Sequence, residues 1–299
     1  MLVIQAQAMG MCFGVEEAIS TAHSLNNPQE VTILGEIVHN TRVQQYLLAL
    51  GFASQAEGAR QELPSSPGVL VTAHGISEAY RSRLQGKVIV DTTCPLVTRL
   101  HKVARRYHDQ GFRLVLVGKP GHVEVLGITE DFPDTVVLPS LESAPAGLGE
   151  KLAVLAQTTT PPDLFEAVYE RVLELHPGAI VEKRDTVCRP TRQRQQAIGA
   201  LLKRVQALVV VGGAHSNNTL RLCEQAEKLG LPSLRVEAPA ELNSEWFRGL
   251  SLVGLSAGTS TPAEAISAVY RRLLEIGRSL RSPIPRGFTN KIFTSRAHS

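Results

Sequence analysis

Short runs of apolar, mostly β-branched residues recur along the chain, at 2–4, 31–34, 69–71, 88–90, 114–117, 152–155, 208–211 and 252–255. Between many of them the apolar positions change to a helical period, at 97–110, 164–175, 192–204 and 263–277. Strands alternating with such segments predict βαβ units and mostly parallel sheets. The strands are apolar at nearly every position, which predicts burial on both faces.

The polar residues that follow the strands carry more information. Run 31–34 leads into Gly35-Glu36-Ile37-Val38-His39-Asn40, and run 69–71 into Thr72-Ala73-His74-Gly75. The next leads into Asp91-Thr92-Thr93-Cys94-Pro95, followed by Gly118-Lys119-Pro120-Gly121-His122-Val123-Glu124 and Ala156-Gln157-Thr158-Thr159. The last two give Gly212-Gly213-Ala214-His215-Ser216-Asn217-Asn218 and Ser256-Ala257-Gly258-Thr259-Ser260. Ligands of open α/β sheets bind beyond the carboxyl ends of the strands. One such loop would be a turn; seven in succession predict a shared polar site.

Composition narrows the class. The 299 residues are 43% hydrophobic and 20% charged with a net charge of +3, ordinary for a soluble globular protein. No stretch approaches the ~20 apolar residues of a membrane helix, and the first residues lack the pattern of a signal peptide, so no membrane association and a cytoplasmic location are expected. Much of the basic excess lies in two runs, Lys102, Arg105 and Arg106, then Arg189, Arg192, Arg194 and Lys203. Without interleaved aromatics these read as solvated helix faces, and no nucleic-acid partner is expected.

Four cysteines in such a chain do not suggest a disulfide framework. Cys12, Cys94 and Cys188 lie at nearly equal intervals, each just before a predicted helix, where the helix N-terminus should favour thiolate. Cys223 falls mid-helix and reads as a buried filler. Each interval would hold one small α/β unit, with a third after Cys188. Spacing alone leaves open buried thiols, zinc with a water, or a cubane cluster with one open iron.

Anion-binding features accompany the cysteines. Ser216-Asn217-Asn218-Thr219 stands at a predicted helix start, and Ser260 precedes Thr261-Pro262-Ala263-Glu264, which reads as a capping box. Helix N-termini with hydroxyls suit anions. His39, His74 and His122 occupy strand-end loops and could bind phosphate or metal. Glu124 is placed like a proton donor, Asp91 like a backbone tether, and His101 and His215 read as structural.

In order along the chain, Cys12-Phe13-Gly14-Val15, Gly35 to Asn40, Ala73-His74-Gly75, Thr93-Cys94-Pro95-Leu96-Val97-Thr98, Gly121-His122-Val123-Glu124-Val125, Gln157-Thr158-Thr159, Ser216-Asn217-Asn218 and Ala257-Gly258-Thr259-Ser260 resemble the motifs of the 4-hydroxy-3-methylbut-2-enyl diphosphate reductases, the LytB family. The resemblance implies three small α/β lobes with mostly parallel sheets, in a trefoil arrangement around a central iron–sulfur cavity. The lobes would span 13–94, 95–188 and 189–280 with strand 1–12, followed by a tail, 281–299. It further implies a 4Fe-4S cluster, one per subunit, on three cysteine ligands, Cys12, Cys94 and Cys188. His39, His74, His122, Ser216, Asn217, Asn218 and Ser260 would bind a diphosphate, Glu124 would supply a proton and Thr158 would hold the substrate hydroxyl. The electron donor would be a ferredoxin or flavodoxin. The chain departs from the common family pattern at Asn217, at Val123 and in Arg189-Pro190-Thr191-Arg192-Gln193. A non-catalytic iron–sulfur sensor and a zinc hydrolase are the competing readings; Glu124 and Thr158 favour the enzyme over the sensor.

Overall fold

A computed structural model describes residues 1–280 except 38, 39, 57, 58, 60, 61 and 215, with only the backbone of 41, 42 and 217. The expectations for His39, His215, the Asn217 side chain and the tail 281–299 lie outside the described residues.

The chain opens with strand β1 (Leu2–Gln5) and helix α1 (Phe13–His23). β2 (Val31–Leu34), α2 (Thr41–Ala49), β3 (Ala53–Gln55), β4 (Gly68–Val71), α3 (Glu78–Arg83) and β5 (Val88–Asp91) follow. The next group is α4 (Pro95–Asp109), β6 (Arg113–Val117), α5 (Val123–Thr129), β7 (Val136–Leu138), β8 (Lys151–Ala156), α6 (Pro162–Leu175) and β9 (Ile180–Lys183). The last is α7 (Arg189–Leu202), β10 (Ala207–Val211), α8 (Asn217–Lys228), β11 (Ser233–Val236), β12 (Leu252–Ala257) and α9 (Ala263–Ser279).

These strands make three four-stranded sheets ordered β3-β2-β4-β5, β7-β6-β8-β9 and β11-β10-β12-β1. Every strand pairing is parallel. The three orders are one order: the first strand of each lobe sits beside its second and third, and a fourth closes the edge. In the last lobe that fourth place is taken by β1, registered Leu2 to Leu252 through Gln5 to Leu255.

Burial explains which strands the sequence revealed. β2, β4 and β10 are buried at every position, and β6, β8 and β12 at all but their first. In β6 the alternating side chains feed two cores. Val115 and Val117 pack with Phe165 and Val168; Leu114 and Leu116 pack with Leu100 and Ile128. Four strands were not anticipated, β3, β7, β9 and β11. All lie outside the central pair of their sheets, and their sequences, Ala53–Gln55 or Ile180–Lys183 for example, bury little.

Helix starts differ from expectation for a local reason. α4, α6 and α7 begin two or three residues early because Pro95, Pro162 and Pro190 occupy first-turn positions, where proline loses no hydrogen bond. The capping box at Thr261 does not form. α9 has Pro262 at its N-cap without a side-chain cap, and the Thr261 hydroxyl donates to the Val211 carbonyl (2.9 Å). That bond ties the ends of β12 and β10 together.

One contact sets the first lobe against the second, and another fixes the loop before Cys12 within the third. The Asp131 carboxylate, just past α5, accepts from the backbone N–H groups of Glu78 and Ala79 at the start of α3 (both 3.0 Å), while Ser77 donates to Glu130 (2.5 Å). On the other side the buried Arg194 of α7 donates from Nη2 to the carbonyls of Gly10 (2.6 Å) and Met11 (3.1 Å).

A candidate active site where three sheets meet

The end of each kind of strand carries its own chemistry. Cys12, Cys94 and Cys188 are the N-cap residues of α1, α4 and α7. Each therefore follows the fourth strand of a lobe and opens the helix leading to the next. All three thiols line one cavity of about 110 Å³. His74, Thr158, Ser216 and Ser260 also line it, from loops after inner strands, together with Glu124 and Asn218 from the first turns of α5 and α8. The described part of the predicted constellation is thus assembled in one place. The loop after β2 instead lines a larger neighbouring cavity of about 650 Å³ through Gly35, Glu36, Ile37 and Asn40; the two cavities share His122. The three thiols and Glu124 line the smaller one.

Glu124 is 1% exposed. Its Oε1 accepts the backbone N–H of Thr158 (2.6 Å) and its Oε2 the Thr158 hydroxyl (2.9 Å). Burial disfavours the carboxylate and outweighs these two bonds, raising the pKa to about 7. The group can therefore hold a proton near neutral pH and release it.

His122 caps α5 through its ring: Nδ1 accepts the N–H of Glu124 (3.1 Å). This leaves the ring proton on Nε2, a donor suited to an anion oxygen. His74 meets it edge to face with ring centroids 5.6 Å apart. Across the cavity Ser216 caps α8 by accepting the N–H of Thr219 (3.4 Å). The amide nitrogen of Asn218 is buried and, among the described residues, has no partner, a donor without an acceptor. Gly212 and Gly258 allow this closeness, since a Cβ on either would lie 2.4 or 2.3 Å from Thr219 Oγ1.

The thiols correct one expectation. Helix N-termini should lower thiol pKa, yet those of Cys94 and Cys188 are raised. Burial is the largest cause in both, and the helix N–H groups only partly offset it. The Cys12 and Glu124 charges push the same way. Burial thus favours the neutral thiol at Cys94 and Cys188, and cationic charge beside them would favour thiolate. Among the described residues no three His, Cys, Asp or Glu side chains are grouped to hold a single metal ion.

Several neighbours of the thiols were not anticipated. Thr191 approaches Cys188 through both its hydroxyl (3.1 Å) and its N–H (3.4 Å). Arg194, expected on a solvated face, is 6% exposed, and it lies close enough to Cys12 and Cys188 for their charges to act on it. The signal was available, because 188 and 191, and then 191 and 194, are neighbours at i, i+3. Gly14 is needed for contact, since a Cβ there would lie 2.7 Å from Cys94 Sγ. Other expectations hold: Cys223 is buried mid-α8, and Asp91 accepts the Thr93 N–H at 2.9 Å. His101 is absent from the cavity lining and packs on Gly127.

The architecture is shared with solved proteins. A 4-hydroxy-3-methylbut-2-enyl diphosphate reductase structure, described as the terminal enzyme of the non-mevalonate pathway, matches at a TM-score of 0.65 with 33% identity, covering 92% of this chain and all (100%) of that one. The Plasmodium falciparum reductase structure matches at 0.84 with 22% identity, covering 97% and 93%, which shows the fold. The Ralstonia nicotianae 4-hydroxy-3-methylbut-2-enyl diphosphate reductase is 33% identical, covering 95% of this chain and 93% of its own. The Tolumonas auensis enzyme of that name is 32% identical, covering 93% of each. The profile of the LytB protein family matches residues 3–274, and the chain belongs to that family.

Proposed function

We propose that the chain removes the allylic hydroxyl of 4-hydroxy-3-methylbut-2-enyl diphosphate with two electrons and two protons. The products are water and isopentenyl or dimethylallyl diphosphate, the last step of the methylerythritol phosphate route to isoprenoids. The observation that carries this reading is Glu124: a buried acid of pKa about 7, clasped by Thr158, in one cavity with three thiols.

Cys12, Cys94 and Cys188 are proposed to hold a 4Fe-4S cluster, one per chain. The residues fit such a group. Three thiols from three lobes line one cavity, and cationic charge there would offset the burial that raises the pKa of Cys94 and Cys188. When bound, the cluster supplies electrons one at a time and a Lewis-acidic iron for the hydroxyl.

The rest is done by the side chains. The Thr158 hydroxyl fixes the carboxyl of Glu124 and can turn to the substrate hydroxyl. Glu124 delivers the proton with which that hydroxyl leaves as water. His122, through Nε2, and His74, Ser216, Asn218 and Ser260 hold the diphosphate, with His39 and Asn217 completing the set. Neutral donors suffice, since the Asn218 nitrogen otherwise remains unpaired in the interior. We take the lobes as 13–94, 95–188 and 189–280 with 1–12, the location as cytoplasmic and the electron donor as a ferredoxin or flavodoxin. Among the described residues no helix is long and apolar enough to cross a membrane.

Anaerobic purification followed by iron and sulfide analysis, then turnover with the hydroxylated diphosphate and a reduced viologen, tests the reading. About four irons and four sulfides per chain are expected, with both C5 diphosphates formed. Protein carrying zinc and no iron would overturn the cluster. Iron–sulfur protein without product would point to a sensor.

A further inference from the structure

The first turns of α4 carry a feature that the reaction leaves unused. Beside Cys94, on the outer face of the lobe, lies a shallow cavity of about 530 Å³ lined by Thr93, Pro95, Thr98, Arg99, Lys102 and Arg106, with Val103. The helix is amphipathic. Val97, Leu100, Ala104 and Tyr107 are buried, and Arg99, Lys102 and Arg106 stand exposed on the opposite side. Among the described residues these three cations make no ion pair. Two acids close to the groove are already occupied: Asp91, two residues before Thr93, is bound by Arg81, and Asp185 is bound by Arg192. Arg99 Nη2 donates to the Asp185 carbonyl (3.4 Å), three residues before Cys188. The basic groove therefore lies between the Cys94 and Cys188 loops.

We propose that this groove is the docking surface for a small acidic one-electron carrier protein, which delivers electrons through the Cys94 segment. The inference rests on the reductase reading above, because that reaction needs two electrons from outside. Thr93 and Pro95 line the groove while Cys94, between them, lines the inner cavity. A carrier seated there has one residue between its own face and a cluster ligand. Each transfer oxidises the carrier by one electron and reduces the cluster by one. Two transfers per turnover balance the loss of hydroxyl as water with two protons. Unpaired cations steer an acidic partner and tolerate a small, short-lived interface, as a carrier that must leave after each electron requires. Nucleic acid is the weaker candidate, since no aromatic side chain lines the groove on which a base could stack.

The test uses the cluster-loaded protein and a reduced acidic 2Fe-2S ferredoxin, with K102E/R106E as the variant. The rate of cluster reduction is followed by stopped-flow absorbance without substrate, and turnover driven by a viologen radical is measured in parallel. Wild-type reduction by ferredoxin should slow as salt rises. In K102E/R106E it should be about tenfold slower or worse at low salt and lose that dependence. Viologen-driven turnover should stay within about twofold, because charge on this face is remote from the substrate donors. Ferredoxin reduction at wild-type rate in K102E/R106E would overturn the docking surface, as would tighter variant-sensitive binding of single-stranded DNA than of ferredoxin. Absence of product with viologen would instead count against the reductase reading, and the substrate-free reduction rates would still decide the docking question.

Discussion

The middle of each sheet and its edge end in different chemistry. The loops after β4, β6, β8, β10 and β12, and the helix turns they open, carry the histidines, hydroxyls, amide and acid of the cavity. Those after the fourth strand of each lobe carry the three thiols. The first and third strands are neighbours in every sheet, and the chain leaves them in opposite directions, opening a crevice there. The fourth strand instead leads out of its lobe, so its loop is the seam between lobes. On the proposed reading, organic anion chemistry is housed within lobes, and the proposed cluster ligands join one lobe to the next. The difference teaches that cluster binding should depend on how the lobes are assembled, and substrate binding on individual strand ends.

Substitutions can break that comparison. The largest effect is expected at a seam: Cys94→Ser should lose most iron and sulfide together with all measurable turnover. A variant that kept a full cluster would remove Cys94 from the ligand set. At the inner ends the reverse pattern is expected. Glu124→Gln should keep its iron while kcat falls about 100- to 10,000-fold; full turnover would take Glu124 out of proton delivery.

The pH dependence of that same residue sharpens the distinction. With its carboxyl titrating near 7, kcat should fall about tenfold per unit above that pH, as the proton donor is lost. A profile flat to about pH 9 would disprove the assignment. Stability follows by linkage. Between the usual carboxyl range and about 7 the folded chain binds more protons than the unfolded one. Cluster-free protein should therefore lose stability across that window as pH rises, and Glu124→Gln should lose less, measured by urea unfolding.

Smaller effects complete the series. Asn218→Ala should raise KM for the diphosphate about tenfold, the value of one buried hydrogen bond of about 1.4 kcal/mol, with iron content unchanged. Arg194→Met should leave KM alone and shorten the lifetime of the cluster in air several-fold, since the Cys12 loop loses its carbonyl ties. Equal air lifetimes would confine Arg194 to a structural role.

The two classes of strand end were not equally legible in the sequence. Inner strands such as β4 and β10 are apolar throughout because both faces are covered, and that pattern needs no alignment to read. Edge strands such as β9, Ile180–Lys183, are half solvated and give no periodic signal. The cysteines could be placed at helix starts, but their meeting depends on three sheets adopting one order, which no spacing encodes. Thiol charge was misjudged for a related reason: the helix terminus is local and visible, whereas burial is tertiary. Arg194 was likewise read by its charge, although its position relative to Cys188 was there to be used. The Thr261 hydroxyl was assigned to its own helix when a strand end fifty residues away, Val211, had the stronger claim on it.

The closure of the last sheet by the first strand bears on the order of events during synthesis. β1 is synthesised before β2 to β12, yet its place lies beside β12, between residues 252 and 257. Until that late segment emerges, Cys12 has no fixed address, although the strands leading to Cys94 and Cys188 can already be folded. Until then a nascent chain can present two sulfurs of the proposed set and not the third. Loading of the proposed cluster would wait for residues 252–257, and a chain cut short before residue 252 would leave Cys12 without its anchor.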